Sequence, residues 1–239
     1  MARERSGFWV WLCAVVFNPL TALLAKKTFV DGHKLPRSGG VLLVMNHVSH
    51  LDPVYDAVLI HMLKRTPRFM AKDSLFEKPV AGRVLRGAEQ IPVYRSSTRA
   101  KDSLAAAEEA LRAGKLVVIY PEGTITRDPD GWPMNSRNGI ARLALECDVP
   151  VIPAARWGTL DILDLYNKKF RPFPRHKVFI KIGDPLDLSE YRGQRMGNSL
   201  LVAVTSLAMG KVKELLSDIR AEAAPEGFYQ PNDKKVASD

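Results

Sequence analysis

The feature that most constrains this chain is the alternation of short, almost wholly apolar runs with longer segments of helical character. "GGVLLVMN", "PRFMAK", "QIPVYR", "KLVVIY", "VPVIPAARWG" and "HKVFIKIG" are too short for helices and are bounded by glycine, proline or polar residues. They read as strands, several of them buried on both faces. Between them lie "DPVYDAVLIHML", "KPVAGRVLRG", "STRAKDSLAAAEEALRAG", "GIARLALECD" and the long "NSLLVAVTSLAMGKVKELLSDIRAEA". These have the length, caps and closing residues of helices, Gly114 being one such stop. The order predicts an α/β domain with a mixed, largely buried sheet flanked by helices. In that architecture, chemistry gathers where strands end.

With 239 residues, 46% of them apolar, the chain can bury one full core. Residues 31–224 carry the alternation and form the α/β domain, and residues 225–239 read as a loose polar tail. The first thirty residues differ in character. After Arg3 and Arg5, "SGFWVWLCAVVFNPLTALLA" has no charge until Lys26 and Lys27. An unbroken helix of that length would reach roughly 30 Å, about one bilayer core. Pro19 interrupts it, removing a donor and disfavouring helix at Asn18. The expectation for residues 1–30 is therefore a membrane-associating hairpin of two helices, about Phe8 to Phe17 and Pro19 to Lys27, with Trp9 and Trp11 at the interface. No convincing small-residue cleavage site precedes Lys26 to suggest a leader. Cys13 and Cys147 make neither a disulfide framework nor a paired metal spacing, which fits a reducing compartment.

The formal net charge is +9 and the isoelectric point near 9.6. That balance attracts nucleic acid, an anionic membrane surface or phosphate-bearing substrates. A basic nucleic-acid-binding protein is the alternative of a different class. Scattered cations, aromatics not interleaved with them and an uncharged amino terminus speak against it.

"NHVSHLDP", residues 46–53, follows an apolar strand and allows three readings. His47 and Asp52 are five apart, roughly 140° on a regular helix, so they pair only if the chain turns between them. A strand ending near Asn46 and a helix starting at Asp52 supply such a turn. Asp52 would then orient one imidazole nitrogen and leave the other as a base. The plainer reading makes Asp52 a helix cap, with Pro53 in the first turn and His47 satisfying backbone groups. The third is a metal site, or a metal hydrolase, on His47, His50 and Asp52, but no further ligand cluster completes it. Farther on, "YPEGTITRD" joins a strand end to Glu122, Gly123, Thr124 and Arg127, and "IPVYR" puts Arg95 just past a strand. Exposed amides and arginines suit an anionic group, though an ordinary turn and a solvated arginine explain the same residues.

Together these stretches resemble the glycerolipid acyltransferases typified by lysophosphatidic acid acyltransferase. "NHVSHLD" matches that family's histidine–four residues–aspartate block, "GAEQIPVYR" is similar to its second block, "PEGT" to its third and "VPVIP" to its fourth, in family order. The resemblance implies transfer of a fatty acyl group from acyl-CoA or acyl carrier protein to the sn-2 hydroxyl of 1-acyl-sn-glycerol 3-phosphate, giving phosphatidic acid for phospholipid biosynthesis. Glycerol 3-phosphate, another lysolipid or a glycolipid is the alternative acceptor. It implies His47 as general base and Asp52 as its orienting partner, with Arg95, Glu122, Gly123 and Thr124 holding the acceptor phosphate. The family commonly has arginine directly after the threonine. Here Ile125 stands there, and Arg127 is the candidate to replace it. No cofactor, metal or nucleic acid is expected, His50 is the least expected to matter, and the place implied is the cytoplasmic face of a membrane.

Overall fold

The computed structural model describes residues 7–94 and 99–231. Strands β1 (Ala25–Val30), β2 (Val41–Met45), β3 (Pro67–Lys72), β4 (Ile91–Val93), β5 (Leu116–Ile119), β6 (Val151–Trp157) and β9 (His176–Ile182) form one sheet in the order β1-β9-β6-β2-β5-β3-β4. A separate hairpin, β7 (Leu163–Asp164) with β8 (Lys169–Phe170), lies between β6 and β9 in the chain. Helices α2 (Asp52–Met62), α3 (Pro79–Gly87), α4 (Ala100–Arg112), α5 (Gly139–Glu146) and α7 (Asn198–Arg220) connect or cover the strands, and α6 (Thr159–Ile162) is one turn. The mixed, helix-flanked sheet expected from the sequence is present.

Strand β2 shows why these apolar runs must be strands. All five of its residues are buried. Leu42 and Val44 pack with Val117, Leu143, Val204 and Val212 on one face, while Val41, Leu43 and Met45 pack with Tyr55, Leu59, Ile152 and Ile180 on the other. Period-two side chains on a sheet covered on both faces require apolar residues at every position, which is the pattern the sequence has.

Strand direction sets the position of the site. β2, β3, β4, β5 and β6 run parallel, whereas β9 pairs antiparallel with β6, and β1 pairs parallel with β9. The carboxyl ends of the central strands therefore share one edge with the amino ends of β9 and β1. Everything leaving β2, β5 and β6, and everything entering β9 and β1, meets there.

The amino terminus departs from the expected hairpin. Residues 8–24 form a single helix, α1 (Phe8–Leu24), with Pro19 inside it. The missing proline donor is tolerated because the helix is held from outside. It packs against α2 and α3. The buried Thr21 hydroxyl lies 2.7 Å from the Phe17 carbonyl, and the Tyr55 hydroxyl donates to the Thr21 carbonyl at 3.4 Å. The indole of Trp9 lies flat on α3, where a Cβ added at Gly87 would come within 2.1 Å of the ring. The second expected helix is instead strand: Ala25 turns extended and Lys26 and Lys27 pair with Lys177 and Val178 of β9. The boundary after residue 30 thus falls at the end of a sheet strand, and α1 with β1 belongs to the α/β domain. Among the described residues no helix is long and apolar enough to cross a membrane.

The tail departs too. Over 225–231 the chain folds back, with the Asn135 amide donating to the Tyr229 carbonyl at 2.8 Å and Tyr229 bridging Met134. Lys213 reaches the Gly227 carbonyl and stands over the Phe228 ring. A polar composition concealed these backbone partners.

Candidate active site

The site begins where β2 ends. Asn46 is fully buried, and its amide brackets the Arg156 backbone: Nδ2 donates to the Arg156 carbonyl at 3.0 Å and Oδ1 accepts the Arg156 amide at 2.9 Å. This clamp joins β2 to β6 just past the ladder, so the next residue, His47, turns off the sheet edge in a fixed direction. The loop then closes around Asp52. Its Oδ2 accepts the amides of Val48 at 2.6 Å and Ser49 at 2.9 Å and lies 2.8 Å from His47 Nδ1, while Oδ1 accepts the Thr159 hydroxyl at 2.5 Å. The chain does turn between His47 and Asp52, as their pairing requires.

The expected cap at Asp52 is corrected in detail. Leu51 occupies the capping position and Asp52 is the first helical residue. Its carboxylate points back to the amides of the preceding loop, which converge on it, and not forward to those of the helix. With Nδ1 donating to an ionised carboxylate, His47 Nε2 is left as an acceptor. The imidazole is 15% exposed and stacks on Tyr120, ring centroids 4.4 Å apart.

Beneath the pair is a buried ionic group that the sequence reading did not single out. Arg156, fully buried, places one guanidinium nitrogen 3.0 Å from Asp52 Oδ2 and also donates to the Asn46 carbonyl. Its Nε donates to Asp56 Oδ1 at 2.9 Å, its remaining nitrogen bonds Asp56 Oδ2, and the Tyr120 hydroxyl donates to the same Oδ2 at 2.6 Å. Burial alone would raise the Asp52 carboxyl, but Arg156 and His47 outweigh it and hold the group at about 2. Burial raises Asp56 to about 6 despite Arg156. Arg156 and Asp56 thus buttress Asp52 from behind, and Asp52 in turn holds the imidazole through Nδ1.

The turn after β5 places its residues unequally. Glu122 is 4% exposed, with Oε1 accepting the His47 amide at 2.9 Å and Oε2 the Met134 amide at 3.0 Å. Both oxygens are committed to backbone, so its expected substrate-binding role is corrected to a positioning one: it ties the His47 loop to the 132–134 loop. Burial pushes its carboxyl up to about 8, against those two amides. The Thr126 amide donates to the His47 carbonyl at 2.7 Å, closing the same junction. Gly123 is exposed at φ +72°, a left-handed conformation suited to glycine, and Thr124 is half-buried. Against Gly123 stands Arg137, whose Nε is 3.2 Å from where a Cβ would lie and whose amide donates to the Pro121 carbonyl at 2.9 Å. No sequence motif marks Arg137, which comes to the turn from the loop just before α5. Arg127 is half-buried just beyond Thr126. Arg95 lies outside the described residues. His50 is exposed, and burial of its ring with the nearby His47 lowers its basicity. Among the described residues no three histidine, cysteine or acidic side chains are gathered as metal ligands would be.

Beside the dyad opens an apolar cavity of about 420 Å³. It lies between α1, α2, α3 and β3, and Val10, Phe17, Val54, Ala57, Phe69 and Leu85 are among its walls. Pro53, next to Asp52 in the chain, is one of its walls, and Phe69, another, stacks on Tyr120 with ring centroids 6.2 Å apart.

A family model described as Acyltransferase matches residues 27–157, more than half of the chain, including His47, Asp52, Glu122 and Arg156. The chain belongs to the acyltransferase family. Among the relatives of this family member, a 1-acyl-sn-glycerol-3-phosphate acyltransferase of Borreliella burgdorferi is 30% identical over 178 residues, 71% of this chain and 67% of that protein. A chloroplastic 1-acyl-sn-glycerol-3-phosphate acyltransferase of Brassica napus is 31% identical over 140 residues, 57% of this chain and 39% of its own length. The acyltransferase chain thus spans about two fifths of the plant protein. The crystal structure of the 1-acyl-sn-glycerophosphate acyltransferase PlsC from Thermotoga maritima superposes with a TM-score of 0.64 at 24% identity, covering 90% of this chain and 81% of that one. At that identity the likeness establishes a shared fold.

Proposed function

We propose that the protein transfers a fatty acyl group from a thioester donor, acyl-CoA or acyl carrier protein, to the free hydroxyl of 1-acyl-sn-glycerol 3-phosphate. The observation that carries the reading is the His47–Asp52 pair, at 2.8 Å, which engages Nδ1 and leaves Nε2 as the acceptor. Family membership and relatives named for that activity support it. His47 Nε2 removes the acceptor hydroxyl proton as the oxygen attacks the thioester carbonyl. The tetrahedral oxyanion collapses with cleavage of the carbon–sulfur bond, and the imidazolium returns its proton to the departing thiolate. Ester and thiol are the products, and no acyl-enzyme intermediate is required.

The cavity suits an acyl chain, since its lining is almost wholly apolar and one of its walls, Pro53, adjoins Asp52 in the chain. The exposed Gly123 turn with Arg137 and Arg127 suits the acceptor phosphate, a role its sequence block proposes for Arg95 as well. The exposed apolar residues of α1, Phe8, Trp11, Val15, Leu20 and Leu23, suit docking on an anionic membrane surface where both lipid substrates reside.

His47→Ala tests the reading. A positioned base contributes about 10²- to 10⁴-fold, so thiol release from palmitoyl-CoA with lysophosphatidic acid should fall by that factor while the circular dichroism spectrum is kept. Transfer at the wild-type rate overturns the assignment. Arg137→Ala should raise the KM for lysophosphatidic acid more than that for palmitoyl-CoA, and an unchanged acceptor dependence removes Arg137 from the phosphate site.

A further inference from the structure

Between β6 and β9 the chain makes an excursion, residues 163–175, that neither the core nor the dyad uses. Its apolar side chains face outward: Tyr166 is 51% exposed, Phe170 62% and Phe173 65%, with Leu165 beside them. Lys168, Lys169, Arg171 and Arg175 are interspersed and exposed. None of these four cations forms an ion pair among the described residues, and the nearby acid Asp164 faces Lys169 across the hairpin. A cluster of bulky apolar groups held in water marks a surface that something covers.

The excursion is nevertheless tied down. The Ser49 hydroxyl donates to the Leu163 carbonyl at 2.7 Å, the Tyr166 hydroxyl to the Ile125 carbonyl at 3.3 Å and the Arg171 amide to the Ile162 carbonyl at 2.8 Å. Two of these anchors reach the loops that carry His47 and Glu122. At its far end Arg175 donates to the carbonyl of Ala25, the residue that follows α1, at 3.3 Å. The antiparallel β9 explains the convergence, because the entry to β9 and β1 shares an edge with the exits from β2, β5 and β6. The excursion therefore bridges the mouth of the site to the last turn of α1, whose Leu20 and Leu23 are exposed.

We propose that residues 163–175 form a second membrane-contacting element, the aromatic side chains entering the headgroup boundary and the four cations pairing with anionic lipid. The link from Arg175 to the residue that follows α1, and four cations against the single acid Asp164, select a bilayer over a protein partner. The inference rests on the membrane-docked reading of α1. It adds that the bilayer meets the protein at two places flanking the site, so that the mouth faces the lipid from which its substrates come. Exposed cations are drawn to an anionic surface, and aromatic groups add apolar burial.

Full-length protein sedimented with phosphatidylcholine vesicles, with and without phosphatidylglycerol, tests it. Phe170→Ser/Phe173→Ser should weaken binding to both vesicle types by about tenfold or more, the equivalent of about 1.4 kcal/mol. Lys168→Glu/Lys169→Glu should weaken binding only where phosphatidylglycerol is present, and added salt should erase the difference. Phe8→Ser/Trp11→Ser serves as the reference for α1. Wild-type binding by both hairpin variants, with binding lost in the α1 variant, overturns this inference alone. Wild-type binding by all three overturns the membrane reading itself. All the changed side chains are exposed, and an unchanged melting temperature shows that each variant is folded.

Discussion

At the scale of residues, Asp52 and Arg156 explain each other. Asp52 is wholly buried, yet His47, two loop amides, Thr159 and Arg156 hold it ionised. Its carboxyl sits at about 2 in the fold against an ordinary value near 3.9. The stabilisation this implies is present in full above pH ~4 and is lost as pH falls through about 2, a difference of roughly 2–3 kcal/mol. Asp52→Asn should flatten the pH dependence of urea unfolding across that window. Glu122 acts with the opposite sign: a carboxyl raised from 4.5 to about 8 favours the fold at low pH and loses that advantage as pH rises through that interval. Glu122→Gln should remove this alkaline decline, which melting curves between pH 5 and 9 would show. Arg156→Met leaves two buried carboxylates without their cation and should cost about 3–5 kcal/mol in chemical denaturation, most of it recovered when Asp56→Leu is added. The sequence displayed His47 and Asp52 because both stand in one short stretch. Arg156 was legible only as a charge inside the apolar run "VIPAARWG", and Asp56 only as an acid one turn beyond Asp52. Their partnership depends on β6 lying beside β2, which no local pattern states.

At the scale of elements, apolar runs that must be buried on both faces were readable, and elements with one neighbour were not. "AKKTFV" carries two lysines yet forms β1, because an edge strand pairing only with β9 can leave Lys26 in solvent. β7 and β8 are two residues each, below the length at which alternation has meaning. Helix α1 was readable as apolar but not as continuous, since the support that offsets Pro19 comes from α2 and α3. That same support makes α1 a wall of the apolar cavity together with α2, α3 and β3. Ala57→Phe, which fills the space from α2, should therefore shift the preferred donor to shorter acyl chains, measured as relative thiol release from octanoyl- and palmitoyl-CoA. An unchanged chain-length profile would show that the acyl group lies elsewhere.

At the scale of the whole molecule, α1 cannot be treated as a detachable anchor. Removing residues 1–28 would take Ala25–Thr28 from β1 and one wall from the cavity, so the expected outcome is a less stable protein as well as weaker membrane binding. Changing outward side chains separates the two effects. The reversed strand β9 has one more consequence, for synthesis on the ribosome. β1 has β9 as its neighbour in the sheet, and the contact between Ala25 and Arg175 spans 150 residues of chain. At about 5–20 residues per second, α1 leaves the exit tunnel well before the strand that will hold its far end exists. Helix α1 can dock on α2 and α3 as soon as they emerge, but β1 waits without its strand neighbour, so the sheet edge that holds the far end of α1 is the last to be completed.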